Sequence, residues 1–521
     1  MHLRLVLSAL GLALGVVVKA QKDQIVVGYY PSWKKAKIDG MDLSKYTHIN
    51  LAFGIPEASG TFTFEGQSFV SSVVTDLHAA GVKVLMSVGG WTGSNLISTI
   101  LKDKTTRKAF MDSMVSYVKD NKLDGIDIDW EYPGRLGNTC NVFDATNDTP
   151  NFLAFLQDLR AAFDTEFAEE KKLITMAVRV EPFDVDDGPS KDVSDFAKVV
   201  DFANLMQYDI NGGWADTTGP NAPFNFEEGK GLQASFVSAI DAWTEAGWPA
   251  SQLTAGFGFY GRSTTATQDM TKDPKNQYQP QIKDKVPLGD SDDAPWADKC
   301  AGTTSNSGMW KWANLRSQGV LTSPTKAAAP WVRQWDEVSK TPWLFNPTTK
   351  QFISYDDPQS IKVKIDYAAS KGLAGAMVWS IEMDYKGELL SAVKKWNGSG
   401  APADDGDDPV KKPANPPKKP TDGGNPDDEE EEESSSEKED ESNPDEDNPG
   451  DNVPLNNSEF VVPVSGAACA TNGMLECADD TGTDTTYMFC VNDKWLPMEC
   501  GAGTACIRTG GSITCGWPKT T

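Results

Sequence analysis

Eight short apolar runs rich in β-branched residues punctuate the first 400 residues, and stretches of helical period separate them. The runs are IVVGYY (25–30), THINLAFG (47–54), VKVLMSVGG (82–90), LDGIDIDWE (123–131), KLITMAVR (172–179), VDFANLMQYD (200–209), LTAGFGFYG (253–261) and LAGAMVWS (373–380). Helices are expected over 68–80, 106–121, 151–167 and 231–246. Nearly continuous apolar strands alternating with amphipathic helices imply a parallel sheet covered by helices, an α/β protein. Eight such units fit a closed (β/α)8 TIM barrel. An open doubly wound sheet remains the alternative, because counting strands does not show closure. About 110 residues separate the seventh and eighth runs. A connection that long needs structure of its own, so a small α+β insertion is expected over 264–372 on the loop face.

The ends of the chain differ from this middle. Residues 1–20 combine Arg4, an apolar stretch from Leu5 to Val18 and the small-residue site Val18-Lys19-Ala20, the pattern of a secretory signal peptide. That stretch is shorter than the ~20 apolar residues a membrane span needs, and no later stretch reaches that length. A secreted, extracellular protein is therefore expected, with no membrane partner. Export makes the eight cysteines readable as disulfides. Cys469, Cys477, Cys490, Cys500, Cys506 and Cys515 crowd into the last 53 residues, a disulfide-stapled module over 463–521. A metal site is a weak competitor there, since no CxxC pair or nearby histidine occurs. Cys140 and Cys300 stand alone on the loop face of the larger domain, 21–398, and are expected to pair.

Charge marks the junction between the two folded units. Residues 401–460 carry 21 acidic and 5 basic side chains, so this segment holds −16 of the net −27. Such a Pro/Asp/Glu/Ser-rich stretch buries too little apolar surface to offset chain entropy, and 399–462 reads as a disordered, extended spacer. A chain this acidic repels nucleic acid. Nothing in the sequence calls for more than a monomer.

Chemistry concentrates at the fourth run. Active sites of (β/α)8 barrels lie at the C-terminal ends of the strands. Strand alternation places Asp127, Asp129 and Glu131 on one face, with Ile126, Ile128 and Trp130 on the other. Three carboxyl groups at steps of about 6.5–7 Å cannot all stay ionised in a half-buried interior, so they titrate as a coupled set. One carboxyl held protonated near neutral pH is what general-acid catalysis requires. A cation site and a solvated loop are the competing readings. Alternation with apolar residues between favours an inward catalytic row.

The segment Asp124-x-x-Asp127-x-Asp129-x-Glu131 resembles the DxxDxDxE signature of family 18 glycoside hydrolases, the chitinases and their relatives. Ser87-Val-Gly89-Gly90 is similar to that family's SxGG motif, Met206-Gln-Tyr208-Asp209 to its MxYD motif, and Trp379 to the tryptophan flooring the substrate pocket. The resemblance spans roughly 25–396. It implies a substrate-assisted, retaining mechanism, one of the exceptions to two-carboxylate glycoside hydrolysis. Glu131 would protonate the glycosidic oxygen, and the substrate's 2-acetamido carbonyl would attack the anomeric carbon to give an oxazolinium ion. Asp129 would hold the acetamido N–H, Asp127 would share a proton with Asp129, Tyr208 would hold the acetamido oxygen and Asp209 the sugar. No cofactor and no metal are called for. Chitin and chitooligosaccharides are the expected partners. The alternatives are an endo-β-N-acetylglucosaminidase on N-glycans and a non-catalytic chitin lectin or cell-wall protein.

Tyr30, Trp33, Phe53, Trp91, Tyr260 and Arg262 are groove candidates from their places at strand ends, and the matched motifs of the resemblance add Gly89, Gly90, Trp130, Met206, Asp209 and Trp379. The tail resembles a chitin-binding module of carbohydrate-binding family 19, which makes Tyr487, Phe489, Trp495 and Trp517 candidates for sugar stacking. A core-filling role for these four rings stays open. Three N-glycosylation sequons begin at Asn147, Asn397 and Asn456, the first compromised by Pro150.

Overall fold

The structure is a computed structural model describing residues 24–396, apart from 187, 284 and 299–301. In the tail it describes 475–477, 486–491, 494–499, 505–509 and 512–516. The expected signal peptide, the spacer, and Cys300, Cys469, Cys500 and Trp517 lie outside the described residues.

All eight apolar runs form parallel strands: β1 (Ile25–Pro31), β2 (His48–Pro56), β3 (Lys83–Gly89), β4 (Gly125–Asp129), β5 (Leu173–Val178), β6 (Phe202–Leu205), β7 (Leu253–Gly258) and β8 (Gly375–Trp379). Each pairs with its chain neighbours, and β1 pairs in parallel with both β2 and β8. The sheet therefore closes, which excludes the open doubly wound alternative.

Two apolar layers follow from the period-2 pattern. Outward residues such as Val26, Leu51, Met86, Ile126, Ile128, Met176, Leu205 and Val378 join the large core against the helices. Inward Val27, Tyr29, Ala52, Ala177, Phe202 and Met377 form a smaller cluster inside the barrel. The covering helices include α1 (Val70–Ala79), α2 (Lys104–Asp120), α3 (Asp148–Glu166), α4 (Phe236–Glu245) and α5 (Pro358–Ser370). Their starts are chemically set. Asp103 accepts from the amides of Thr105 and Thr106 at the head of α2, Ser235 and Ser238 form a capping box on α4, and Asp357 with Pro358 opens α5.

The long connection differs from expectation at both ends. The seventh run breaks at Phe259, and Tyr260–Thr265 turns out of the barrel as a strand of a five-stranded antiparallel sheet. Met309–Lys311, Val332–Trp335, Pro342–Asn346 and Gln351–Ser354 complete that sheet. The insertion thus starts before 264, and α5, expected within it, belongs to the ring of barrel helices and packs on β7 and β8.

The described parts of the tail form a separate unit. Leu475–Cys477, Thr486–Val491 and Lys494–Glu499 make one antiparallel sheet, Ala505–Thr509 and Ser512–Gly516 a hairpin, and a Cys477–Cys506 disulfide joins the two. Among the described residues no helix is long and apolar enough to cross a membrane.

Candidate active site

Asp127 sits at the centre of the barrel, fully buried. In the ladder it lies opposite Ser87 of β3 and Thr175 of β5, and both hydroxyls reach it, at 2.7 and 2.6 Å. The Tyr29 hydroxyl donates at 2.8 Å and the Asn204 amide at 3.4 Å, so both carboxyl oxygens accept two bonds each. Burial pushes this carboxyl up while the four donors pull it back.

Two residues on, Asp129 is 4% exposed, and its Oδ1 is buried with no hydrogen-bond partner among the described residues. Burial holds this carboxyl well above the usual range, and the Glu131 and Asp127 charges add to the rise. Burial brings Glu131 up to about 7, against a hydrogen bond with Tyr132 and with help from the Asp209 charge. The row is thus a graded set: a saturated carboxyl below, one with a free buried oxygen above it, and one poised near neutrality at the mouth.

The neighbouring strand ends complete the site. Gly89 pairs with Asp129 at φ +115°, and a Cβ there would stand 2.2 Å from the Asp129 carbonyl oxygen. Only glycine lets β3 approach the carboxylate row so closely. The following Gly90 donates its N–H to that same carbonyl at 2.7 Å. Beyond β6, Met206 packs against the inner cluster, and the Tyr208 hydroxyl lies 3.8 Å from Met377 Sδ, with its ring edge-on to Tyr260. Asp209, at φ +56°, receives a bidentate bond from Arg262 Nε and Nη2 at 2.8 and 2.7 Å. That guanidinium also covers the rings of Tyr260 and Trp214. Trp379 stacks on Phe53 at 5.5 Å, and Tyr29 meets its edge at 5.6 Å. Trp33 continues the aromatic surface from Phe53 and is 47% exposed. Trp91 is 45% exposed.

Two of the residues expected in the groove do not face it. Tyr30 is buried in the outer core beside Phe69, because alternation from Val27 turns Tyr29 inward instead. The structure puts Tyr29 at the heart of the site, and counting by two from Val27 would have found it. Trp130 is 3% exposed and packs edge-on to Phe152 of α3, as an outward residue of the fourth run must. Asn204, Thr175 and Trp214 are site residues that the sequence does not flag, since single polar or aromatic residues there carry no pattern. Cys140 is disulfide-bonded. Asn147 donates to Asp144, and Thr149, its sequon partner, is buried and bonded to the Asp184 carbonyl. Among the described residues no group of acidic, histidine and cysteine side chains could hold a metal ion.

The family model for glycosyl hydrolases family 18 matches residues 25–384, which contain the whole carboxylate row. The chain belongs to that family. A curated relative, a chitinase-like effector of Moniliophthora roreri, is 36% identical over 387 residues, covering 72% of this chain and 93% of its own. The crystal structure of a Rhizomucor miehei chitinase is 34% identical with a TM-score of 0.66, over 71% of this chain and 99% of that one. A group IV chitinase of Ostrinia furnacalis in complex with allosamidin is 26% identical with a TM-score of 0.60, over 71% and 98%. The family match places the Asp127, Asp129 and Glu131 row at the end of β4 and the Trp379 ring at the end of β8 within the family 18 barrel.

Proposed function

We propose that the protein is a secreted chitinase that cuts β-1,4-linked N-acetylglucosamine polymers with retention at the anomeric carbon. The observation that carries this reading is the pairing of a Glu131 carboxyl poised at about 7 with a buried Asp129 Oδ1 that has no partner among the described residues. A proton donor must be protonated near working pH, and a buried oxygen without a donor is costly unless a ligand supplies one. An acetamido N–H supplies it. Once bonded, Asp129 orients the acetamido carbonyl toward the anomeric carbon and stabilises the positive charge that develops on the oxazolinium. Glu131 gives its proton to the leaving oxygen and then takes one from the attacking water. Trp379, stacked on Phe53, offers the flat apolar floor a sugar ring needs. Tyr208 holds the acetamido oxygen, and Asp209, fixed by Arg262, contacts the sugar.

The tail is proposed to bind chitin and hold the enzyme at an insoluble surface, on its family 19 resemblance. Trp495 is buried, so its face is not free for a sugar. Tyr487 and Phe489, on the strand Thr486–Val491, and Trp517 are left as candidates.

A second reading has its own support: the Moniliophthora relative is named a chitinase-like effector, which leaves open a sugar binder without turnover. One experiment separates the two. Hydrolysis of N-acetylglucosamine oligomers by the protein and by Glu131→Gln is followed by proton NMR of the fresh products. The chitinase releases the β-anomer, and Glu131→Gln binds but does not cut. Binding without hydrolysis by the native chain overturns the enzymatic reading in favour of the binder.

A further inference from the structure

β4 ends at Asp129, and its ladder pairings stop at Gly89 of β3 and Met176 of β5. Glu131 lies two residues beyond, where no strand pairing fixes its backbone. Its peptide groups still need partners, and two side chains supply them. The Glu131 N–H donates to Ser94 Oγ at 2.9 Å, and its carbonyl accepts from Asn141 Nδ2 at 2.6 Å. Ser94 is fully buried, with its hydroxyl in donating reach of the carbonyls of Gly90 (2.8 Å) and Asp129 (3.1 Å). One hydroxyl therefore ties the turn after β3 to the backbone on both sides of Trp130.

Asn141 is held in its turn. Its own N–H donates to the Asn138 carbonyl, the next amide, Val142, donates to Asn95, and the preceding Cys140 is disulfide-bonded. Gly137 closes the contact, since a Cβ there would stand 1.9 Å from the Glu131 carbonyl oxygen. The 137–142 loop thus presses a glycine and an amide onto one peptide unit.

We propose that Ser94 and Asn141 are positioning residues for Glu131, a backbone clamp that replaces the missing sheet pairing and sets the depth of its carboxyl in the groove. This rests on the reading of Glu131 as proton donor. Neither residue touches substrate in that reading, so their loss acts on the placement of the acid and leaves sugar binding alone. The titratable groups facing the Glu131 carboxyl are Asp129, Tyr132 and Asp209.

The test compares Ser94→Ala, Ser94→Thr, Asn141→Ala and Asn141→Leu with the native chain. A chromogenic N-acetylglucosamine oligomer reports kcat, KM and the pH profile of kcat/KM, and melting temperature is recorded for each variant. The expected result is a fall in kcat of about 10- to 100-fold in Ser94→Ala and both Asn141 variants, with KM nearly constant. The alkaline limb moves down by about half a unit or more as the loosened carboxyl gains water. Ser94→Thr, which keeps the hydroxyl, restores both. Folded variants with native kcat and an unmoved limb overturn the inference. So does a kcat loss that tracks melting temperature alone and is shared by Ser94→Thr. If Asn141→Ala does not fold, Asn141→Leu, which keeps the shape and loses the donor without adding a charge, decides. A native chain without turnover overturns the proposed function instead, and this inference with it.

Discussion

At the scale of single residues, the site depends on which of two adjacent tyrosines enters the barrel. The Tyr29 hydroxyl donates to Asp127, while the Tyr30 hydroxyl is buried without a partner among the described residues. Removing the first deletes a bond to a carboxyl; removing the second relieves an unsatisfied group. Tyr29→Phe should cost about 1.5–3 kcal/mol in chemical denaturation and lower kcat, whereas Tyr30→Phe should be neutral or stabilising. Equal effects would mean that the Asp127 cradle is not what Tyr29 serves. Glu131 gives the second residue-scale expectation. Its carboxyl is raised from 4.5 to about 7, so the folded protein keeps a proton that the unfolded chain has lost. Any stability tied to this group is present below about 4.5 and declines as pH rises to about 7, then stays level. Glu131→Gln does not titrate and should gain on the native chain across that window, by on the order of 3 kcal/mol. In the active enzyme kcat/KM should fall tenfold per unit above about pH 7, as the acid deprotonates. Parallel melting curves at pH 4.5 and 8 check the first statement, and a pH–rate profile the second.

Elements were legible where a period repeats and obscure where geometry intervenes once. All eight strands follow from apolar runs, and α1 to α4 from helical spacing, to within a few residues at most ends. The carboxylate row was readable because alternation and strand-end position act together on five residues. The break at Phe259 was not: the run continues apolar through Tyr260, yet the chain leaves the barrel to start the insertion sheet, a tertiary choice with no local signal. Trp130 was drawn into the groove set by its neighbours although its own parity turns it to Phe152. The clamp on Glu131 was illegible for a related reason. Ser94 and Asn141 are ordinary loop polar residues until the end of β4 leaves a peptide unit unpaired between them. Ladders propagate through sequence pattern; the devices that take over where a ladder stops do not.

On the scale of the whole molecule, catalysis and surface attachment should separate along the chain. The closed barrel, its core, the carboxylate row and the aromatic floor all lie within 24–396. The tail forms its own unit, with its own sheets and the Cys477–Cys506 disulfide. A tethered binding module leaves the chemistry unchanged and raises the local concentration of enzyme at an insoluble polymer. Shortening the chain after residue 398 should therefore leave kcat and KM on soluble N-acetylglucosamine oligomers within about twofold, since no residue of the proposed catalytic site or barrel groove is removed. On crystalline chitin at low enzyme concentration the shortened protein should bind less and release less product, by about tenfold or more when the tail is the main anchor. The gap should close at high chitin loading, where attachment no longer limits the rate. Paired sedimentation and product assays on both substrates make the comparison. Equal binding of the two proteins to chitin would remove the tail's proposed role, and a parallel loss on soluble oligomers would show that the barrel needs the tail to work.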